Sequence, residues 1–121
     1  MRLLIVDDSS IIRSRIARIM NDPRLPTLMI VGMARNGAEA LELFSQSHPE
    51  LVTMDLTMPE MDGVECTEAM TNLNPEAHIL VVSALSDKAT AIKALKKGAK
   101  GFLYKPFTDE QLIGALLEVM S

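Results

Sequence analysis

The chain has no tryptophan, one tyrosine, three phenylalanines and a single cysteine in 121 residues. Cys66 alone forms no internal disulfide and builds no zinc site, which excludes stapled secreted scaffolds and cysteine-rich metal modules. No apolar run approaches the roughly 20 residues that cross a bilayer. The N-terminal run Leu3-Leu4-Ile5-Val6 is too short for a signal peptide and ends in Asp7-Asp8. No glycine-rich nucleotide fingerprint or Walker loop is present. Basic charge is also scarce: 12 Lys and Arg stand against 16 Asp and Glu, a net charge of -4. A pI near 5.1 argues against a broad nucleic-acid surface. These absences point to a soluble cytoplasmic protein with no membrane attachment and no direct DNA binding.

What is present suits one globular domain spanning 1–121. The hydrophobic content is 48%, so disorder of the bulk is excluded. The core falls to Leu, Ile, Val, Ala and nine Met. Two periodicities alternate along the chain. Leu3 to Val6, Leu28 to Val31, Leu51 to Met54, Ile79 to Val82 and Gly101 to Tyr104 are short continuous apolar runs, the pattern of parallel strands covered on both faces. Between them lie helical stripes: Ile12, Ile16, Ile19 and Met20; Ala40, Leu41 and Phe44; Cys66, Ala69, Met70 and Leu73; Ile92 and Leu95; Leu112, Ala115, Leu116 and Val119. Ser9 or Ser10, Asp87 and Thr108 are candidate caps for the first, fourth and fifth helices. Five βα units imply an α/β fold, a parallel sheet with helices on both faces and right-handed crossovers.

In such sheets ligands bind beyond the carboxyl ends of the strands. The residues placed there are Asp7 and Asp8, Asp55, Ser83, and Lys105 with Pro106. Taken singly, each has a plainer role. Asp7 and Asp8 suit a helix N-terminus, Asp55 suits a turn, and Ser83 and Lys105 suit structural and solvated positions. Their joint placement is what carries information. Clustered carboxylates repel unless a cation joins them, and hard oxygen donors suit Mg²⁺. An ammonium and a hydroxyl beside them suit a phosphoryl group, and an Asp carboxylate is itself a nucleophile able to form an aspartyl phosphate.

Asp7-Asp8, Asp55 with Met58-Pro59 and Met61-Asp62-Gly63, Ser83-Ala84 and Lys105-Pro106-Phe107 together resemble the receiver domain of two-component response regulators. The likeness covers the whole chain and is closest to the CheY-like single-domain type. It implies a flavodoxin-like, doubly wound three-layer sandwich with strand order 2-1-3-4-5. It implies that Asp55 is the phosphoacceptor, served by a sensor histidine kinase, a phosphotransfer protein or a small donor such as acetyl phosphate. Asp8 would bind Mg²⁺ (or Mn²⁺) directly and Asp7 largely through water, with Asp55 and the Thr57 backbone carbonyl completing the set. Lys105 and Ser83 would contact the phosphoryl group. Ser83 and Phe102, an aromatic residue three before the lysine, would form the switch, and the Lys105–Pro106 bond would be cis. Thr57 and Leu85 would tune phosphoryl loss.

The resemblance places the output face on the fourth helix, fifth strand and fifth helix. Lys88, Lys93, Lys96, Lys97 and Lys100 lie in that region. They read either as a solvated basic face or as a dock for an acidic partner segment. A downstream protein effector, such as a flagellar motor switch, would be the target, with chemotaxis as one setting. The chain would be a monomer, or a dimer formed on phosphorylation. It would not be an enzyme beyond phosphoryl transfer to and from its own Asp55. The same likeness fits a receiver cut from a longer transcriptional or enzymatic regulator. A haloacid-dehalogenase-type phosphatase also uses an Asp nucleophile, but it wants a second Asp where Thr57 stands. An FMN module would not place Asp7-Asp8 at its phosphate loop. His48, His78 and Cys66 read as ordinary boundary or packing residues.

Overall fold

The computed structural model describes residues 1–56, 62–84 and 86–121. Strands and helices alternate: β1 (Arg2–Val6), α1 (Ser10–Arg18), a 3-10 turn (Ile19–Asn21), β2 (Met29–Ala34), α2 (Gly37–Ser47), β3 (Leu51–Asp55), α3 (Gly63–Leu73), β4 (His78–Ala84), α4 (Lys88–Lys96), β5 (Gly101–Lys105) and α5 (Asp109–Met120). All strand pairs are parallel. Their order is β2-β1-β3-β4-β5, as the resemblance implies. The order reverses between β1 and β3, which opens a crevice at the carboxyl ends of those two strands.

The sheet separates two apolar layers. Leu4, Val6, Val52, Met54, Ile79 and Val81 face one side, packed with Phe44, Cys66 and Met70. Leu3, Ile5, Leu51, Leu80 and Val82 face the other, packed with Ile16, Leu112 and Leu116. Alternate residues of one strand thus feed opposite layers, which is why these runs are apolar throughout.

Caps at the helix starts set where the crevice loops end. Ser9 accepts from the Ile12 N–H and begins α1. Thr108 and Gln111 form a reciprocal capping box at α5. Asp87 stands at the cap position of α4, yet its carboxylate accepts from the Thr90 hydroxyl at 2.6 Å instead of a backbone N–H.

Several expectations shift. β2 runs from Met29 to Ala34 rather than Leu28 to Val31, because pairing with β1 slips by one residue after Leu3 and then continues to Val6–Ala34. In α4 the buried residues are Ala91 and Ala94, while Ile92 is exposed. In α3 Cys66, Thr67 and Met70 are buried and Leu73 is exposed. The first helix ends at Arg18, and Ile19 and Met20 reach the core from the 3-10 turn.

Gly63 opens α3, but its φ is not in the left-handed region. Close approach is the reason for glycine here: a Cβ would lie 2.5 Å from both the Asp55 carbonyl oxygen and the Leu56 Cα. That contact seats α3 against the end of β3.

Candidate functional site

Four strand ends converge at the crevice. Asp7 follows β1, and its N–H donates to the Ala34 carbonyl at 3.0 Å. Asp55 ends β3, Ser83 is the penultimate residue of β4 and Lys105 ends β5. The Leu56 N–H donates to Val82 at 3.1 Å, so the β3 end stays tied to β4 just past Asp55.

Asp7 and Asp55 are buried, and Asp8 is exposed at the mouth. One carboxylate oxygen from each of the three lies within 4.8 Å of the others. Lys105 Nζ sits 3.0 Å from Asp7 Oδ2 and 3.5 Å from Asp55 Oδ1. Asp7 Oδ1 accepts from the Ser9 N–H at 2.9 Å. Both Asp7 oxygens are therefore engaged from within the chain. Burial works against the Lys105 charge, but the hydrogen bond to Asp7 and the charges of Asp55 and Asp7 outweigh it and raise its pKa above the ordinary lysine value.

Three carboxylates face one ammonium, which leaves an excess of negative charge in a largely buried crevice. An oxygen donor set of this kind suits a hard divalent cation. The Ser83 hydroxyl is buried and has no hydrogen-bond partner among the described residues. An unmatched buried hydroxyl costs about 1–3 kcal/mol, so a ligand oxygen arriving there would relieve a standing penalty.

Each expected site residue among those described sits at this edge, except Phe102 and the five lysines in and after α4. Thr57 and Leu85 lie outside the described residues. The Lys105–Pro106 bond is cis. Phe102 is 44% exposed, and its ring lies 5.1 Å from that of Tyr104. Lys88, Lys93, Lys96, Lys97 and Lys100 are all exposed. Lys97 is drawn to α3, 2.6 Å from Glu68, whereas the other four make no ion pair among the described residues. His48 is the exposed left-handed residue ending α2. His78 is half-buried, with an unpartnered Nδ1 at the start of β4, far along the strand from Ser83. Burial, aided by the Asp62 charge, pushes the Cys66 thiol up to about 12, so it is an inert packing group.

Two arginines of α1 also reach this edge. Arg13 Nη1 donates to the Asp7 carbonyl at 2.6 Å, and Arg15 Nη2 donates to the Phe107 carbonyl at 2.5 Å. Sequence reasoning missed both. Their targets are backbone carbonyls, and Phe107 lies 92 residues away, so no local pattern marks them.

The fold and this edge define a receiver. The chain matches the response regulator receiver domain family over residues 3–117 and belongs to it. It is 39% identical to the chemotaxis protein CheY of Thermotoga maritima, over 98% of this chain and 96% of that protein. It is 36% identical to CheY of Bacillus subtilis, over 99% and 98%. Among solved structures it resembles the crystal structure of the CheX–CheY–BeF3–Mg complex from Borrelia burgdorferi, with a TM-score of 0.91, 28% identity, and coverage of 100% of this chain and 90% of that one. Kinship with CheY places the chain in two-component signalling.

Proposed function

We propose that the chain accepts a phosphoryl group on Asp55 in a Mg²⁺- or Mn²⁺-dependent reaction and signals through a shift of its α4–β5–α5 face. The observation that carries this reading is the Lys105 ammonium held between Asp7 and Asp55 beside the unpartnered Ser83 hydroxyl. An Asp55 oxygen attacks phosphorus, and an O–P bond forms as the P–N bond of a phosphohistidine breaks. The leaving imidazole takes up a proton. With acetyl phosphate the leaving group is acetate. A divalent cation held by these carboxylates would supply charge neutralisation for them and for the phosphoryl oxygens. Asp8, the exposed carboxylate, and Asp55 would hold the cation directly. Asp7, already engaged by Lys105 and Ser9, contributes mainly through its charge and through water. Lys105 donates to one phosphoryl oxygen and Ser83 to another.

Ser83, drawn to the phosphoryl group, biases Phe102 between exposed and inward positions. Phosphorylation is then a population shift set by contacts present in one state only. Lys88, Lys93, Lys96 and Lys100 make the output face attractive to an acidic segment of a downstream protein, while Lys97 braces α4 to α3. The donor is a histidine kinase or phosphotransfer protein, the setting is the cytoplasm, and chemotaxis is the pathway favoured by the CheY relatives.

Incubation with acetyl phosphate and Mg²⁺, read by intact mass, tests this. Wild type gains one phosphoryl group, and Asp55→Asn gains none. Equal gain by both proteins, or no gain from either small donors or a histidine kinase, overturns the reading.

A further inference from the structure

Lys105 is only as well placed as the segment that carries it. β5 ends at Lys105 and α5 begins at Asp109, so residues 106–108 form a short link between strand and helix. Thr108, the last residue of that link, caps α5. The link to the rest of the molecule comes from α1. The Arg15 guanidinium donates to the Phe107 carbonyl at 2.5 Å, and its carbon lies 4.8 Å over the Phe107 ring. Its Nε is 3.6 Å from Asp109 Oδ1, a buried oxygen with no hydrogen-bond partner among the described residues. The same helix holds the Asp7 carbonyl through Arg13. One helix thus grips the ends of both strands that supply the Lys105–Asp7 ion pair.

We infer that Arg15 is a positioning residue for Lys105: by clamping Phe107 and Asp109 to α1, it sets where the Lys105 ammonium stands between Asp7 and Asp55. The inference deepens the proposed phosphoryl transfer and rests on it. A planar guanidinium suits three simultaneous tasks: a donor to a carbonyl, a charge beside a carboxylate and a face against a ring. A lysine at the same place performs one of them at a time. Neutralisation of a phosphoryl oxygen depends on where the cation is fixed before the reaction, so a loosened link lowers the rate without touching the nucleophile.

The test compares wild type, Arg15→Ala, Arg15→Lys and Arg18→Ala. Arg18 lies on the same helix and makes no ion pair or side-chain hydrogen bond among the described residues. Two quantities are read: the rate of phosphoryl gain at fixed acetyl phosphate and Mg²⁺, and the NMR signal of the Lys105 side chain in unphosphorylated protein. Mg²⁺ affinity and far-UV circular dichroism report whether the fold and the carboxylates persist. Arg15→Ala should keep its dichroism and its Mg²⁺ affinity, shift the Lys105 signal and slow phosphoryl gain roughly 10-fold. Arg15→Lys should recover part of the rate, and Arg18→Ala should match wild type. A folded Arg15→Ala with the wild-type rate and Lys105 signal overturns the inference. So does a matching loss in Arg18→Ala. If Arg15→Ala does not fold, Arg15→Lys decides by the same two readouts. If wild type itself takes no phosphoryl group, the proposed function fails, and the Lys105 signal still judges the clamp.

Discussion

Lys105 shows how one side chain is tuned by its surroundings at residue scale. Burial alone would lower its pKa, but two carboxylates at 3.0 and 3.5 Å hold its proton more tightly than water does. Its folded-state pKa is therefore above the ordinary value of 10.5. The sign follows: the stabilisation is fully present below the unfolded-state pKa and is lost as pH rises through the higher folded value. The difference in urea midpoint between wild type and Lys105→Met should stay level from pH 8 to about 10. It should then shrink at more alkaline pH. A difference that persists undiminished into strong alkali would mean that the lysine contributes packing rather than charge. Ser83 presents the opposite case, a buried group left unmatched. Its identity as a candidate came from the position of one hydroxyl at a strand end. Its missing partner became visible only when the strands were side by side.

At the scale of elements, glycines separate contact from conformation. Gly63 lies against the backbone of Asp55 and Leu56, neither of which yields cheaply. Gly63→Ala should push α3 away from β3 and destabilise the protein by about 1–3 kcal/mol. Gly114, inside α5, has nothing within 4 Å of where its Cβ would be. Gly114→Ala should stabilise by about 0.5–1 kcal/mol through helix propensity. Urea denaturation of the two variants checks both signs, and a stabilised Gly63→Ala would contradict the close approach. Helix stripes were legible in the sequence only to within one position. Ala91 and Ala94 face the core of α4 and Ile92 does not, because a short helix rotates to seat its small residues where α3 and the sheet approach closely. Hydrophobicity ranks Ile92 above alanine. Available space ranks it below.

For the whole molecule, the excess of carboxylate charge at the crevice would couple metal binding to stability. A cation that binds only the folded state stabilises it by mass action. At about 100 times its dissociation constant, Mg²⁺ should add about 2.7 kcal/mol and raise Tm by roughly 10 °C. Asp8→Ala should abolish most of that rise while folding normally, since Asp8 is exposed and supports no packing. Thermal unfolding in Mg²⁺ against EDTA measures both. A Tm that ignores Mg²⁺ in wild type would remove the acidic cluster from consideration as a metal site. No helix of the described residues is long and apolar enough to cross a membrane.

The sequence by itself determined the alternation of strand and helix, the Thr108 cap, a cap for α1 at Ser9 or Ser10, and the short set of charged and hydroxyl residues at strand ends. These are local properties, set by periodicity and by backbone groups a few residues apart. Only the tertiary structure decided that Lys105 stands between Asp7 and Asp55, that Asp7 is buried while Asp8 is not, and that Arg15 grips a carbonyl 92 residues away. Such contacts depend on which strand lies beside which and on how the helices sit across the sheet. Chain order alone leaves the strand arrangement open, and packing closes it.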